Sequence, residues 1–363
     1  LPISAVDTIN LAIEHTKQQL FKPFRLGQWT KLAFVGMLAG ELSSGGCNGS
    51  NLNSLQHPGG AAHSGFPHFP GIDPAVLGGI IAVIVMSAFV IGIIFMYISS
   101  VMRFVLFDSI LAKECHIRQG WSRRQGAGWR YFLWKLLYTF AMFSCLGALV
   151  GVPVAFAFAM GWIQEPREHL LPLVLGGVIV FFVLMALFAV MWAIFVLTKD
   201  FVIPQMALED IGAIEGWQRL WPMLKAETGA YAAYIGLKIA LAIAAGIVVG
   251  IATVILGLIV AIPTVGLSVL AVITGKSAGL TWNASTITLA IVVGSILFSV
   301  FLYLISLISV PVLVFFPAYS IYFFAGRYRP LSAVLYPAQQ VNAIAPPLPV
   351  QPPPLPPYPE PTG

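Results

Sequence analysis

The stretch Phe201–Lys238, FVIPQMALEDIGAIEGWQRLWPMLKAETGAYAAYIGLK, decides how this chain is read. It leaves an apolar run through Pro204, turns polar around Glu209 and Asp210, passes Pro222 and Gly229, and re-enters apolar sequence. Ala207, Ile211, Ile214, Trp217, Trp221 and Leu224 share one helical stripe, while Glu209, Asp210, Glu215, Gln218 and Arg219 point elsewhere. That pattern predicts an amphipathic helix lying along a membrane surface. Proline removes a backbone N–H and clashes with the preceding turn, so Pro204 and Pro222 mark changes of direction. Trp217, Trp221, Tyr231 and Tyr234 suit a boundary where one ring edge is wet and the other lies in hydrocarbon. The segment reads as an architectural elbow between two spans, with a ligand site at the elbow as the other reading.

Working outward, the chain is 58% hydrophobic and only 9% charged, with a mean hydropathy of +0.89. Soluble domains carry roughly 25% charged residues, so a water-soluble globule is excluded. The expected fold is all-α: a polytopic transmembrane helical bundle with spans near 24–42, 75–102, 129–160, 170–198, 229–262 and 287–316, each judged against the ~20 apolar residues a bilayer core requires. The first is the shortest and carries Lys31. An amphipathic helix precedes it, with Val6, Ile9, Ile13 and Leu20 on one face. Residues 1–335 form the membrane domain and 336–363 a Pro-rich tail.

All of the 19 Lys and Arg except Arg167 and Lys276 fall on the N-terminal side of this arrangement. By the positive-inside rule both termini are cytoplasmic and the protein is expected to sit, multi-pass, in a cell membrane. The basic balance therefore reflects orientation, and no nucleic-acid partner is expected.

Three span exits look alike: Phe104-Val105-Leu106-Phe107, Phe201-Val202-Ile203-Pro204 and Val314-Phe315-Phe316-Pro317. Two are followed by a surface helix reaching Gly-Trp, at Gly120-Trp121 and Gly216-Trp217, and Ala12-Ile13-Glu14 aligns with Ala213-Ile214-Glu215. The unit read from this is one interfacial helix plus two spans, used three times in parallel orientation. Small residues at four-residue spacing, Gly147, Gly151 and Ala155 in one span and Ala242, Gly246 and Gly250 in another, predict close helix packing, inside the bundle or against a partner.

The chemistry of enzymes is hard to find. There is no GxSxG, HExxH or P-loop and no carboxylate pair within a span, so no catalytic residue and no cofactor is expected. Lys31, Lys135 and Lys238 are placed to snorkel to headgroups, with contact to a lipid phosphate or a substrate as the other reading of Lys135 and Lys238, and Trp129, Trp217 and Trp221 are interfacial anchors. His57, His63 and His68, with Cys47 nearby, are weak metal candidates in a Gly-rich loop, their spacing matching no fixed ligand pattern. The tail PPLPVQPPPLPPYPEP, residues 346–361, should be extended polyproline II, a spacer or a docking segment for a partner.

Three stretches carry a resemblance: LFKPFRLGQW (Leu20–Trp29), SSGGCNGS after the first span, and DFVIPQMALEDIGAIEGW (Asp200–Trp217). In these the chain resembles six-span prokaryotic proteins related to the membrane domain of glycerophosphodiester phosphodiesterases. The resemblance implies a membrane domain over most of 6–329. It transfers no activity, because the catalytic domain of that family does not follow here. Three-repeat mitochondrial-type carriers are similar in period only, since their PxDxxK-like signature is missing after Pro204. The expected function is therefore a non-enzymatic integral membrane protein, an accessory or scaffold subunit touching lipids and partner subunits. The alternative is a transporter or lipid-handling protein working at the repeat interface.

Overall fold

The computed structural model describes residues 4–41, 74–163, 165, 167–277 and 284–336. Their regular structure is helical: α1 (Asp7–Phe21), α2 (Leu26–Leu38), α3 (Pro74–Leu111), α4 (Ile117–Ala159), α5 (Leu170–Leu197), a π-helical segment (Thr198–Val202), α6 (Ile203–Glu209), α7 (Ala213–Ala226), α8 (Thr228–Ser277), α9 (Ala284–Ala325) and α10 (Arg329–Leu335). Among the described residues five helices are long and apolar enough to cross a membrane: α3, α4, α5 with its continuation to Glu209, α8 and α9. The protein is thus an all-α polytopic membrane bundle.

The expected span at 24–42 is not among the five. Its sequence forms only α2, 13 residues long, which at 1.5 Å per residue reaches about 20 Å, short of a hydrocarbon core of about 30 Å. Three other boundaries differ from expectation. The polar segment before span three is not a separate surface helix, because α4 runs unbroken from Ile117. The outer loop expected from Pro263 onward is helical as far as Ser277. Pro317 does not end its helix, since α9 continues through both Pro311 and Pro317 to Ala325.

The five spans are bare along their middles. In the most apolar window of each, 6% or less of the residues are buried within the chain. Side chains such as Phe140, Phe182, Val248 and Phe298 project outward, as hydrocarbon-facing residues do in lipid. Packing concentrates instead at one end, where most of the Lys and Arg gather; this is called the basic end below. There α1 lies against α9, α2 against α3 and α9, α3 against α4, and α7 against the π-helical segment. Leu20, Phe104, Phe201, Ile203, Met206, Tyr234, Phe323 and Phe324 are buried together in its core.

Close approach explains where glycines sit in this core. A Cβ on Gly128 would stand 2.6 Å from Val101 Cγ2 and 3.0 Å from the Val101 Cα, and one on Gly216 would stand 2.7 Å from Val202 Cγ1. Gly120 meets Val105 in the same manner and Gly36 meets Leu313. By contrast, Gly147, Gly151 and Gly250, expected to pack helices together, have nothing within 4 Å of such a Cβ. In that same small-residue pattern Ala155 is exposed and Ala242 and Gly246 are half-buried.

Candidate functional site

The exits of the spans carry charges inward. Arg103 immediately precedes Phe104 on α3, and Lys199 and Asp200 immediately precede Phe201 in the π-helical segment. Their Phe neighbours are fully buried, and the helices that bury them carry the adjoining charges into the core. The widened π turn is a feature that recurs at functional sites. Here adjacent residues serve two different partners across it.

Lys199 Nζ donates to Glu41 Oε2, just beyond the end of α2, in a very short contact. Arg103 stands on the other side of the same carboxylate, its Nη2 3.8 Å from Glu41 Oε1. The guanidinium is held in place by donating to the Ala39 carbonyl at 2.9 Å and to the Tyr131 hydroxyl of α4 at 3.2 Å. It also lies over the Phe195 ring at 5.4 Å. Asp200 accepts from Lys238 Nζ, again in a very short contact, and from the Tyr234 hydroxyl at 3.0 Å. The Tyr234 oxygen lies 2.8 Å from Ser320 Oγ of α9.

Three cations and two carboxylates are thus joined across α2, α3, α4, the end of α5, α8 and α9. The Glu41, Asp200 and Arg103 side chains are all under 10% exposed. Ionisable groups at membrane depth are costly unless paired and mark functional positions. An aromatic wall seals this hub: Tyr234 stacks on Tyr319 and Phe323 at 5.1 and 4.5 Å, and Phe201 packs on Tyr231 and Phe324. A cavity of about 30 Å³ touches Glu41, Arg103, Lys199, Asp200 and Ser320. That is room for a single water.

A second polar layer lies nearer the chain's basic surface. Arg124 grips Asp108 through two bonds of 2.6 and 2.7 Å and donates to the Ala207 carbonyl at 2.5 Å. Arg130 holds Asp210, which sits in the left-handed region at φ 56°. Arg219 pairs with Glu209 and Glu215, and Arg327 with Glu227 at 2.7 Å. On α1 the buried His15 lies 3.0 Å from the Tyr322 hydroxyl. Burial, and then the charge of Lys113, hold its imidazole below the ordinary value of 6.5. Burial likewise pushes the Cys115 thiol up.

Of the residues singled out in the sequence, Lys238 belongs to the hub. Lys135 is half-buried one turn beyond Tyr131 and feels the Arg103 charge. Lys31 is exposed and lines a separate basic hollow with Arg118 and Arg123. Trp217 donates from Nε1 to Thr198 Oγ1 at 3.0 Å and so braces the π-helical segment. Trp221 is half exposed beneath Lys225, and Trp129 packs edge-on against Tyr97. His57, His63 and His68 lie outside the described residues, as do Cys47 and the Pro-rich segment. No metal-binding group of three or more His, Cys, Asp or Glu occurs among the described residues. Glu41, Arg103, Lys199, Asp200, Tyr131 and Tyr234 were not singled out as a site from the sequence. A signal was there: both exit phenylalanines follow directly on a charge, and both re-entrant helices carry Tyr-x-x-x-Lys, at Tyr131–Lys135 and Tyr234–Lys238.

A model described as a family of unknown function, DUF7544, matches residues 3–334. The chain belongs to that family. The match covers the hub and all five long helices of this DUF7544 protein. No curated protein matches it, and no solved structure does. Nothing in these comparisons ties it to the membrane domains of glycerophosphodiester phosphodiesterases.

Proposed function

We propose that this DUF7544 protein is a non-enzymatic integral membrane protein, an accessory or scaffold subunit whose spans are presented to lipid and to partner helices. One observation carries the reading. The buried charges of the hub engage one another and the adjoining hydroxyls and carbonyls, leaving a space of about 30 Å³, while the apolar windows of all five long helices are bare. A substrate pocket for an organic molecule spans about 300–1,000 Å³, and the hub offers far less. The open faces at Gly147, Gly151 and Gly250 support contact with helices of another chain, since small residues allow close approach in lipid.

In this reading the chain is built on a threefold repeat that is complete only in its third copy, α7 with α8 and α9: α2 is shorter than a span and the second surface segment is continuous with α4. Gly120 against Val105 and Gly216 against Val202 are equivalent contacts between each exit and the next Gly-Trp helix. Asp200 with Lys238, and Leu313 with Gly36, are polar and apolar versions of one joint. The basic end faces the cytoplasm by the positive-inside rule, with both termini there, and the Pro-rich sequence of residues 346–361 suits a partner with an aromatic groove.

The test is the mass of the full-length protein extracted from its native membrane in mild detergent. A stable complex with other membrane proteins is expected. A lone monomer, seen in several mild detergents, overturns the scaffold reading. The second reading, a transporter or lipid-handling protein, is favoured by one fact: the hub joins all five long helices at one end, as a gate between units would. Substrate-dependent protection of Lys199 or Lys238 from amine-reactive reagents would select it.

A further inference from the structure

Outside the hub, the described surface has a hollow of about 820 Å³ between the start of α2 and the first two turns of α4. Lys31, Arg118 and Arg123 line it, together with His116, Gln119 and Ser122. Elsewhere at this end Arg124, Arg130, Arg219 and Arg327 are matched with Asp108, Asp210, Glu209 and Glu227, whereas Arg25, Lys225 and Arg329 stand apart from acids singly; only around this hollow do three such cations line one concavity among the described residues. Lys31, Arg118 and Arg123 form no ion pair among the described residues. The one carboxylate close in sequence, Glu114, lies 3.3 Å from His116, and both side chains are more than 60% exposed. Three like charges held around one concavity repel one another unless an anion joins them.

The depth of the hollow says which anion. Its α2 wall runs directly into exposed Phe34 and Met37, and its α4 wall into exposed Trp129, Leu133, Leu137 and Phe140. The Gln28 side chain donates to the Lys113 carbonyl at 2.7 Å, which fixes α2 beside the turn that leads into α4. Cations therefore stand at the level where the apolar faces begin, with a hydroxyl and an amide beside them. This is the headgroup level of a bilayer, and basic pockets between helices at that level bind anionic headgroups.

We propose that this hollow binds the phosphate of an anionic phospholipid, with Lys31, Arg118 and Arg123 as its cationic wall, Ser122 and Gln119 as hydrogen-bond donors, and the acyl chains along the exposed faces of α2 and α4. The site is independent of the scaffold reading. It concerns lipid recognition by this chain alone.

The test uses the full-length protein in nanodiscs of phosphatidylcholine, with and without phosphatidylglycerol, read by native mass spectrometry after release. Retained phosphatidylglycerol is expected on the wild type. Retention should weaken about one-hundredfold in the triple variant Lys31→Gln, Arg118→Gln, Arg123→Gln and about fivefold in Arg118→Gln or Arg123→Gln alone. A control that removes the same charge elsewhere, Lys17→Gln, Lys225→Gln, Arg329→Gln, should retain the lipid. Equal retention by the triple variant overturns the proposal, as does equal loss in the control. Inorganic phosphate added at the concentration of the lipid should not displace it; displacement would assign the hollow to a free anion and overturn the lipid source. The triple variant should match the wild type in thermal unfolding in phosphatidylcholine, and the single variants carry the comparison if it does not.

Discussion

Replacing Lys238 by Met leaves the Asp200 carboxylate buried beside Tyr234 with its charge uncompensated. Breaking a buried pair from one side costs about 3–5 kcal/mol, whereas removing both partners is far milder. Thermal unfolding in detergent should show a large loss in Lys238→Met and recovery of most of it in the double variant Asp200→Asn, Lys238→Met; no recovery would mean that the two side chains do not act as a pair. Gln205 offers the opposite sign. Both its amide atoms are buried without a hydrogen-bond partner among the described residues, and leaving a buried polar group unpaired costs about 1–3 kcal/mol. Gln205→Met, close in volume, should therefore be neutral or stabilising by the same assay. His15 makes stability depend on pH. Its folded imidazole takes up a proton only below the value at which the unfolded one does. Between those two values the unfolded chain binds more protons, so stability rises with pH there. The contribution is complete above the ordinary value of 6.5 and is lost as pH falls through the folded value. Unfolding midpoints measured from about pH 7 down to about pH 5 should decline, and His15→Gln should flatten that part of the decline.

At the scale of the element, the two classes of glycine make a sharp contrast. Gly128→Ala forces a methyl against the Val101 backbone, and overpacking of this kind costs about 1–3 kcal/mol. Gly151→Ala meets open space inside α4 and should be neutral or stabilising, by up to about 1 kcal/mol. The same contrast shows what the sequence made legible. Long apolar runs and the stripe of α7 announce themselves, because hydropathy and a 3.6-residue period are local properties. The unbroken α4 was not legible. Gly120 and Gly128 suggest a break between a surface helix and a span, and only the valines of α3 packed against them account for their presence inside a helix. The hub was half legible. Arg103, Lys199 and Asp200 sit at a repeated landmark, and Tyr131 and Tyr234 share a spacing with their lysines. Glu41 had no local mark, because its partner Lys199 lies 158 positions away in the sequence and only the tertiary fold brings them together.

At the scale of the whole molecule, contact between α1 and α9 brings together residues as far as 307 positions apart in the sequence, His15 and Tyr322. In a variant with Cys47, Cys115 and Cys145 replaced, a short bismaleimide linker should join His15→Cys to Tyr322→Cys. With a protease site placed between residues 51 and 52, the two cut fragments should then stay together in denaturant, and fragments that separate would deny the contact. The other whole-molecule feature is that, among the described residues, the ion pairs between helices lie at one end of the bundle. From Lys238 to Ser277, α8 extends through 39 further residues, about 58 Å at 1.5 Å per residue. Mechanically this is a lever with its fulcrum at the Asp200 pair. A tilt of about 5° at that fulcrum carries the far tip through roughly 5 Å, close to the rise of one helical turn. Any tilt at that pair would thus be largest at the far tip, where spin labels at Thr274 and Ser285 would register it as a change in their separation.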